Sequence, residues 1–268
     1  MSRPVLGSAV VFAAFFGLSG TPAVSTGDVI AHGAKGDSTT DDTDAVRKAF
    51  ASKVGVVRFP RGIYRITKTI EIRLDEVGFT AIDGGGVARI VMAGPGPAFR
   101  FIGTHDGTAA PRTIKPNVWA NQRTPTVDNL EIIGDHPEAC GVEATRTMQL
   151  TISRLSVRNC LHAIHLTHRN RNVLIDACHL YHNRGIGIYY DDVSLHQSNI
   201  VGCHISYNAG GGIVCRKGDV RNVHITGCDI EDNVSESGPP TANVLIDGRD
   251  SLHGTGEVAI TGCTLQHG

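Results

Sequence analysis

Asp191, Arg216 and Asp247 are the residues whose types and spacing best suit covalent chemistry. They fall at equivalent places in a sequence that repeats about every 25 residues. His165 and Tyr189 occupy a second equivalent column two positions earlier. If each repeat is one strand of a stack, Asp191 and Asp247 stand two strands apart, roughly 9.6 Å at twice the strand spacing. That separation is near the upper range used by inverting glycoside hydrolases, with Arg216 between the two carboxylates. The same groups suit β-elimination, in which Arg216 or Lys217 offsets a uronate carboxylate while His165 or Tyr189 handles the α-proton. Glu143, His168, Arg169, Asp192, Lys217 and Arg249 surround these candidates as substrate-binding groups. An outward Asp–Arg–Asp column is also what a salt-bridged solvent face looks like, so the pattern alone permits a purely structural role.

The elements that must position these residues are legible in the repeat itself. From Leu130 onward the chain reads in units such as "VLIDACHLYHNRGIGIYYDD" and "NIVGCHISYNAGGGIVCRKGD". Cys178, Cys203 and Cys228 are each 25 residues apart, and Cys263 follows after an insertion containing "SESGPP". Asn183, Asn208 and Asn233 keep the same step, as do Ile175, Ile200 and Ile225, followed by Ile260. Each unit alternates β-branched apolar and polar residues in short runs between Gly, Asn or Asp, the signature of strands joined by tight bends. Such strands bury a core only by stacking on their copies about 4.8 Å away. The expected fold is all-β: a single-stranded right-handed parallel β-helix (solenoid) with an N-terminal capping α-helix.

Strand alternation then predicts which side chains point inward. Val142, Ile164, Ile188, Ile213 and Val244 form an inward column; Glu143, His165, Tyr189, Val214 and Leu245 follow them outward. Two positions further lie Thr145, Thr167, Asp191, Arg216 and Asp247. The cysteine column is expected to be a stack of free buried thiols, because parallel strands suit the disulfide dihedral poorly. The Asn column is expected as a ladder of side-chain amides at bends where Asn adopts left-handed backbone.

A stack of strands exposes its core at each end unless something covers it. "TTDDTDAVRKAFAS" supplies a cap: Thr40 or Asp41 to accept amide hydrogen bonds, Asp42 and Asp44 at the positive end of a helix. Ala45, Val46, Ala49 and Phe50 form its apolar face. The aspartates do not follow a calcium-loop pattern. His162, His165 and His168 would not converge on strands as a zinc site requires. No metal residues are therefore assigned, although calcium stays open as a cofactor.

At this point "VIAHGAKGDSTTDDTDAVRKAF" followed by "VVRFPRGIYRIT" resembles the N-terminal signature of the pectate-lyase-like superfamily. The likeness is to its rhamnogalacturonase, epimerase-like and tailspike branch. The residues that carry it are Gly36, Asp37, Thr40, Asp41, Asp42, Thr43, Phe59, Pro60, Gly62 and Tyr64. The resemblance implies the β-helix fold and says little of the reaction, because relatives hydrolyse, eliminate, epimerise or bind glycans. "YYDDVS" supplies Asp191 and Asp192. However, the other elements of the pectin hydrolases ("NTDG", "GHG", "RIK") and the Asp-Pro-His motif of the alginate epimerases are missing.

The organisation expected is a signal peptide over 1–25 and a β-helix domain over 26–268. Within that domain 26–60 is the cap region, 103–127 a long inserted loop and 128–268 regular rungs. Arg3 precedes the apolar run Val5 to Leu18, and Ala23 and Ser25 have the spacing of a cleavage site, so the protein is expected to be secreted or periplasmic. An uncleaved anchor is the alternative; after cleavage no membrane association is expected. The proline-rich insertion holds the only tryptophan, Trp119, suited to walling a sugar groove or simply to anchoring the loop. No amphipathic cap follows "VAITGCTLQHG", which suggests a fragment lacking further rungs or an end covered by a partner. A formal net charge of -1 gives no basic footprint for nucleic acid. The functional expectation is an exported protein acting on a polysaccharide, expected to be acidic, as lyase or glycoside hydrolase, monomeric or homotrimeric. The alternative is a non-catalytic glycan-binding or surface-structural solenoid.

Overall fold

The computed structural model describes residues 26–235, 238 and 241–267. The signal segment expected over 1–25 lies outside the described residues. Each turn of the chain adds strand to three faces, and all the strand pairs are parallel. One face is a nine-stranded sheet that starts at Asp37–Asp41, continues through Gly62–Ile66 and Ala88–Met92, and ends at Thr264–Gln266. The other two faces form one thirteen-stranded sheet, because Ile164–Asp176 and Ile186–Val201 run around the corner between them without a break. Strand stacking begins at Asp37–Asp41 and Val56–Arg58, ahead of the region where the sequence repeat is easiest to see. The segment at 103–127 carries a turn of 3-10 helix at Pro111–Thr113 and a short α-helix at Pro116–Asn121.

The inward column pairs as the alternation requires, Val142 to Ile164 to Ile188 to Ile213 to Val244. The first four of these are buried in one continuous core. Full burial of each such side chain stabilises by about 1.5–3 kcal/mol. Cys178, Cys203 and Cys228 are free thiols buried in the same core, with Cys263 half-buried beyond them. The Cys228 Sγ accepts the backbone N–H of Cys203 at 3.5 Å, so the thiols are stacked as weak acceptors and not bridged.

The Asn column forms the expected ladder. Asn183 Nδ2 donates to Asn208 Oδ1 at 2.8 Å, and Asn208 Nδ2 to Asn233 Oδ1 at 2.7 Å. Asn233 Nδ2 continues to Asn243 Oδ1 at 2.9 Å. Each Nδ2 also reaches a backbone carbonyl, so these buried amides are fully partnered. The left-handed backbone expected at these asparagines sits one residue earlier, at His182, Tyr207 and Asp232, with φ of 53°, 56° and 51°. The preceding residue makes the bend, which leaves Asn free to point inward.

The N-terminal signature has a local physical cause. Gly36 has φ +60°, and a Cβ there would meet the Tyr64 ring at 3.0 Å; one on Gly62 would meet the Gly36 carbonyl oxygen at 3.1 Å. Tyr64 fills the space, donates its hydroxyl to the Pro60 carbonyl at 2.9 Å and sits edge-on to Phe59. The helix Thr43–Ala51 lays Val46, Ala49 and Phe50 onto the core, with Ala45 packed beside them. Its N-cap is Asp42 and not the expected Thr40 or Asp41. The buried Asp42 carboxylate faces back, accepting the N–H groups of Lys35 (2.7 Å) and Gly36 (3.0 Å). Asp41 still accepts the Thr43 N–H at 3.0 Å. Thr40 instead donates to Asp37, whose carboxyl is held well below its ordinary range, chiefly by the amides of Thr40 and Thr39. At the opposite end the inward columns are open: Ile260 is 44% and Leu265 48% exposed.

Candidate functional site

The outward column runs in register from Glu71 through Arg100, Glu143, His165, Tyr189 and Val214 to Leu245. Two residues on, Thr145, Thr167, Asp191, Arg216 and Asp247 pair in that order. Immediately beyond, His168, Asp192 and Lys217 all have positive φ, between 44° and 58°. This left-handed step swings the chain around the corner and sets these side chains along the rim of the face.

Thr167, His168, Tyr189, Asp191, Asp192, Arg216 and Lys217 line one cleft of about 400 Å³. A second, of about 490 Å³, is lined by Arg216, Lys217, Asp247, Arg249 and Asp250. Sharing Arg216 and Lys217, the two form one open groove along the stack. Among the described residues no carboxylate lies within ion-pair distance of Arg216 or Lys217.

Behind the groove lies a chain of charges. Arg100 Nε donates to Glu143 Oε1 at 2.7 Å and also reaches Glu71 at 3.5 Å. His165 has Nδ1 3.7 Å from Glu143 Oε2 and Nε2 3.1 Å from Asp191 Oδ2. Burial pushes the His165 imidazole toward the neutral form, but the hydrogen bonds and charges of Glu143 and Asp191 outweigh it and raise its pKa. Glu143 is lowered, because its contacts with His165 and Arg100 overcome the opposing cost of burial. The Tyr189 ring stacks on His165 at 5.2 Å, nearly parallel. Burial, then the Asp191 charge, pushes the Tyr189 hydroxyl up to about 12. His162 completes the aromatic cluster, 5.1 Å from Tyr189. Burial, then the charge of His165, lowers His162 to about 4, and its Nδ1 accepts the Ile186 N–H at 3.1 Å.

The structure thus brings together Asp191, Asp192, Tyr189, His168, Arg216 and Lys217 in the groove, with His165 and Glu143 directly behind. Asp247 stands in register two rungs from Asp191, yet it is closed by Arg249, whose Nε and Nη2 donate to its two oxygens at 2.8 and 2.6 Å. Those hydrogen bonds hold Asp247 at about 2. Arg169 turns away from the groove toward Ser194 and the inserted segment. Trp119 is 48% exposed, stacks against the Arg123 guanidinium at 5.0 Å, and lines neither cleft. Arg100 and Glu71 were not expected. The signal for them was the same alternation read before the insertion, where proline-rich sequence interrupts the register. Among the described residues no group of three or more His, Cys, Asp or Glu side chains is arranged to hold a metal ion.

A larger cleft of about 620 Å³ lies on the nine-stranded face, lined by Arg61, Arg89, Glu131 and Arg154 among others. Its only carboxylate, Glu131, is held by Arg89 and Arg158 at 2.8 Å each, and it has no imidazole or phenol. Size favours that cleft, but proton-transfer chemistry needs a free acid or base, so the smaller groove is the candidate site.

The parallel strands and their registers define the class of fold as a right-handed parallel β-helix. The family described as "Right handed beta helix region" matches residues 117–267, and the chain belongs to it. No curated protein matches it. Among solved structures, the surface adhesin PfbA of Streptococcus pneumoniae is similar over 87% of this chain and 70% of its own, at 16% identity and TM-score 0.57. The A-module of mannuronan C-5 epimerase AlgE4 from Azotobacter vinelandii is similar over 90% and 88%, at 13% identity and TM-score 0.50. The ORF18 protein of Geobacillus virus E2 matches over 90% of this chain at 15% identity and TM-score 0.49, and the chain spans 57% of its length. At these identities the likeness is one of fold.

Proposed function

We propose that the protein is an exported enzyme that cleaves an anionic polysaccharide lying along this groove, by β-elimination at a uronate residue. The observation that carries the reading is the pair Arg216 and Lys217, which line both halves of the groove with no carboxylate in ion-pair range among the described residues. Two such cations suit a uronate carboxylate and the extra charge it gains as the α-proton leaves. Asp191, lining the cleft, takes that C5 proton. The C4–O4 bond breaks, a C4–C5 double bond forms, and the Tyr189 hydroxyl, kept protonated by its raised pKa, gives its proton to the departing O4. His165 does not line the cleft and acts as a positioning residue, holding Asp191 through Nε2 while Glu143 and Arg100 hold it from behind.

Hydrolysis by an Asp191–Asp247 pair fits less well. In such a pair one carboxyl gives a proton and the other activates water, whereas Asp247, with both oxygens accepting from Arg249, is poorly suited to either task. Export rests on the leader-like sequence of residues 1–25.

The test is a panel of polyuronates and neutral glycans, with and without calcium, following unsaturated-product absorbance and reducing ends together. Both signals rising on a polyuronate is the expected result. Reducing ends without absorbance would establish hydrolysis instead. Retention on a glycan with neither signal would make this a binding solenoid, the alternative consistent with so open a groove.

A further inference from the structure

A second cluster of basic groups lies around the corner from the groove, beneath the inserted segment. Arg169 and Arg171 flank the inward, fully buried Asn170, so alternation sends both guanidinium groups outward on the same side. In register with them on the next rung stand Ser194 and His196. Arg171 Nη1 donates to the carbonyls of Thr108 (3.2 Å) and Ala109 in the insertion, and Arg169 Nη1 donates to Ser194 Oγ. These are neutral acceptors. Among the described residues neither arginine has a carboxylate within ion-pair distance; the adjacent Asp106 is taken by Lys115 at 2.7 Å. Arg171 is only 9% exposed and His105 1%.

Several buried polar atoms here have no hydrogen-bond partner: both ring nitrogens of His105, Nε and Nη2 of Arg169, and Nε of Arg171. Leaving guanidinium groups buried and uncompensated is costly, and paired burial is the usual solution. Burial, then the charges of Arg169 and Arg171, lowers His105 to about 4, so at neutral pH it adds no charge and offers one N–H donor. The cluster therefore presents two positive charges and several N–H groups without partners.

We propose that His105, Arg169 and Arg171 form a binding site for a small divalent oxyanion, sulfate or hydrogen phosphate, held between the rungs and the inserted segment. Two guanidinium groups balance the charge of such an anion, and their planar forks match its oxygens. Burial favours a free ion over a charged group on a polymer, which would need an open path. Binding ties residues 103–127 to the stack and leaves the groove untouched, so the site is independent of the proposed reaction.

The test is a sulfate titration of the protein at constant ionic strength, read by thermal unfolding and by calorimetry. The expected result is a saturable rise in Tm and a stoichiometry of one. R169Q and R171Q should each weaken binding at least tenfold, whereas R216Q in the groove should bind as the unaltered protein does. Should R171Q fail to fold, R169K supplies the second variant: it keeps the charge, loses the fork, and should bind more weakly. A rise in Tm that is linear in sulfate and equal in R169Q would be general salt exclusion and would overturn the proposal. So would equal calorimetric affinity in R169Q and R169K and the unaltered protein.

Discussion

Two outward faces of this β-helix carry charged columns built on the same alternation, and they end in opposite electrostatic states. On the nine-stranded face Glu131 sits between Arg89 and Arg158 at 2.8 Å from each, a closed triplet beside the larger cleft. On the other, Arg216 and Lys217 line a smaller groove without a carboxylate partner in range, and His165 bridges two acids. Charge alternation at rung spacing therefore does not by itself mark a site. What distinguishes the two faces is whether the acids in register with an arginine are already held by another partner. Arg100 meets Glu143, as Arg89 meets Glu131; Arg216 stands between Asp191, engaged by His165, and Asp247, engaged by Arg249.

The change with the largest expected effect strikes the floor beneath both faces. Asn208→Ala leaves buried amide and carbonyl groups of the ladder unpartnered and should cost about 3 kcal/mol. Chemical denaturation measures it, and a loss below about 1 kcal/mol would mean that water replaces the amide.

Next comes the open face alone. Arg216→Gln should reduce kcat/KM on a polyuronate on the order of 100-fold with little change in stability. An equal effect on a neutral glycan would separate Arg216 from carboxylate recognition.

His165 offers a pH test. Its folded pKa is raised, so the stability it contributes is fully present below the ordinary histidine value of about 6.5 and is lost as pH rises through the folded value. His162 and His105 run the other way. Each is lowered to about 4, so the stability they contribute is present above about 6.5 and declines as pH falls toward 4. Thermal unfolding from acid to mildly alkaline pH should show both slopes, and His165→Gln should remove only the alkaline one. Persistence of the alkaline slope in that variant would assign it to another group.

The smallest effect belongs to the closed face. Glu131→Gln should leave activity within twofold and cost under about 1 kcal/mol, as partly exposed ion pairs do. A large loss of activity there would move the site to the larger cleft.

Much of this arrangement was legible in the chain. The inward column from Val142 to Val244, the outward one from Glu143 to Leu245, and the placing of Asp191, Arg216 and Asp247 follow from strand alternation and a 25-residue step, and all pair as read. Arg100 was not, because the insertion after Ile102 hides its register with Glu143. Arg169 illustrates the other kind of limit. It follows His168 in the sequence, but the left-handed turn at His168, φ 58°, sends the two side chains to different faces.

By itself, the sequence determined the stack: periodic apolar residues, the Asn step and the Gly36–Tyr64 signature specify which residues face inward and how one rung sits on the next. Those are short-range constraints repeated along the chain. Only the tertiary structure decided which charges are closed and which stay open. Whether Arg249 folds back on Asp247 depends on the turn that follows the strand, and whether His165 bridges Glu143 and Asp191 depends on side-chain distances between rungs; a column of letters is blind to both.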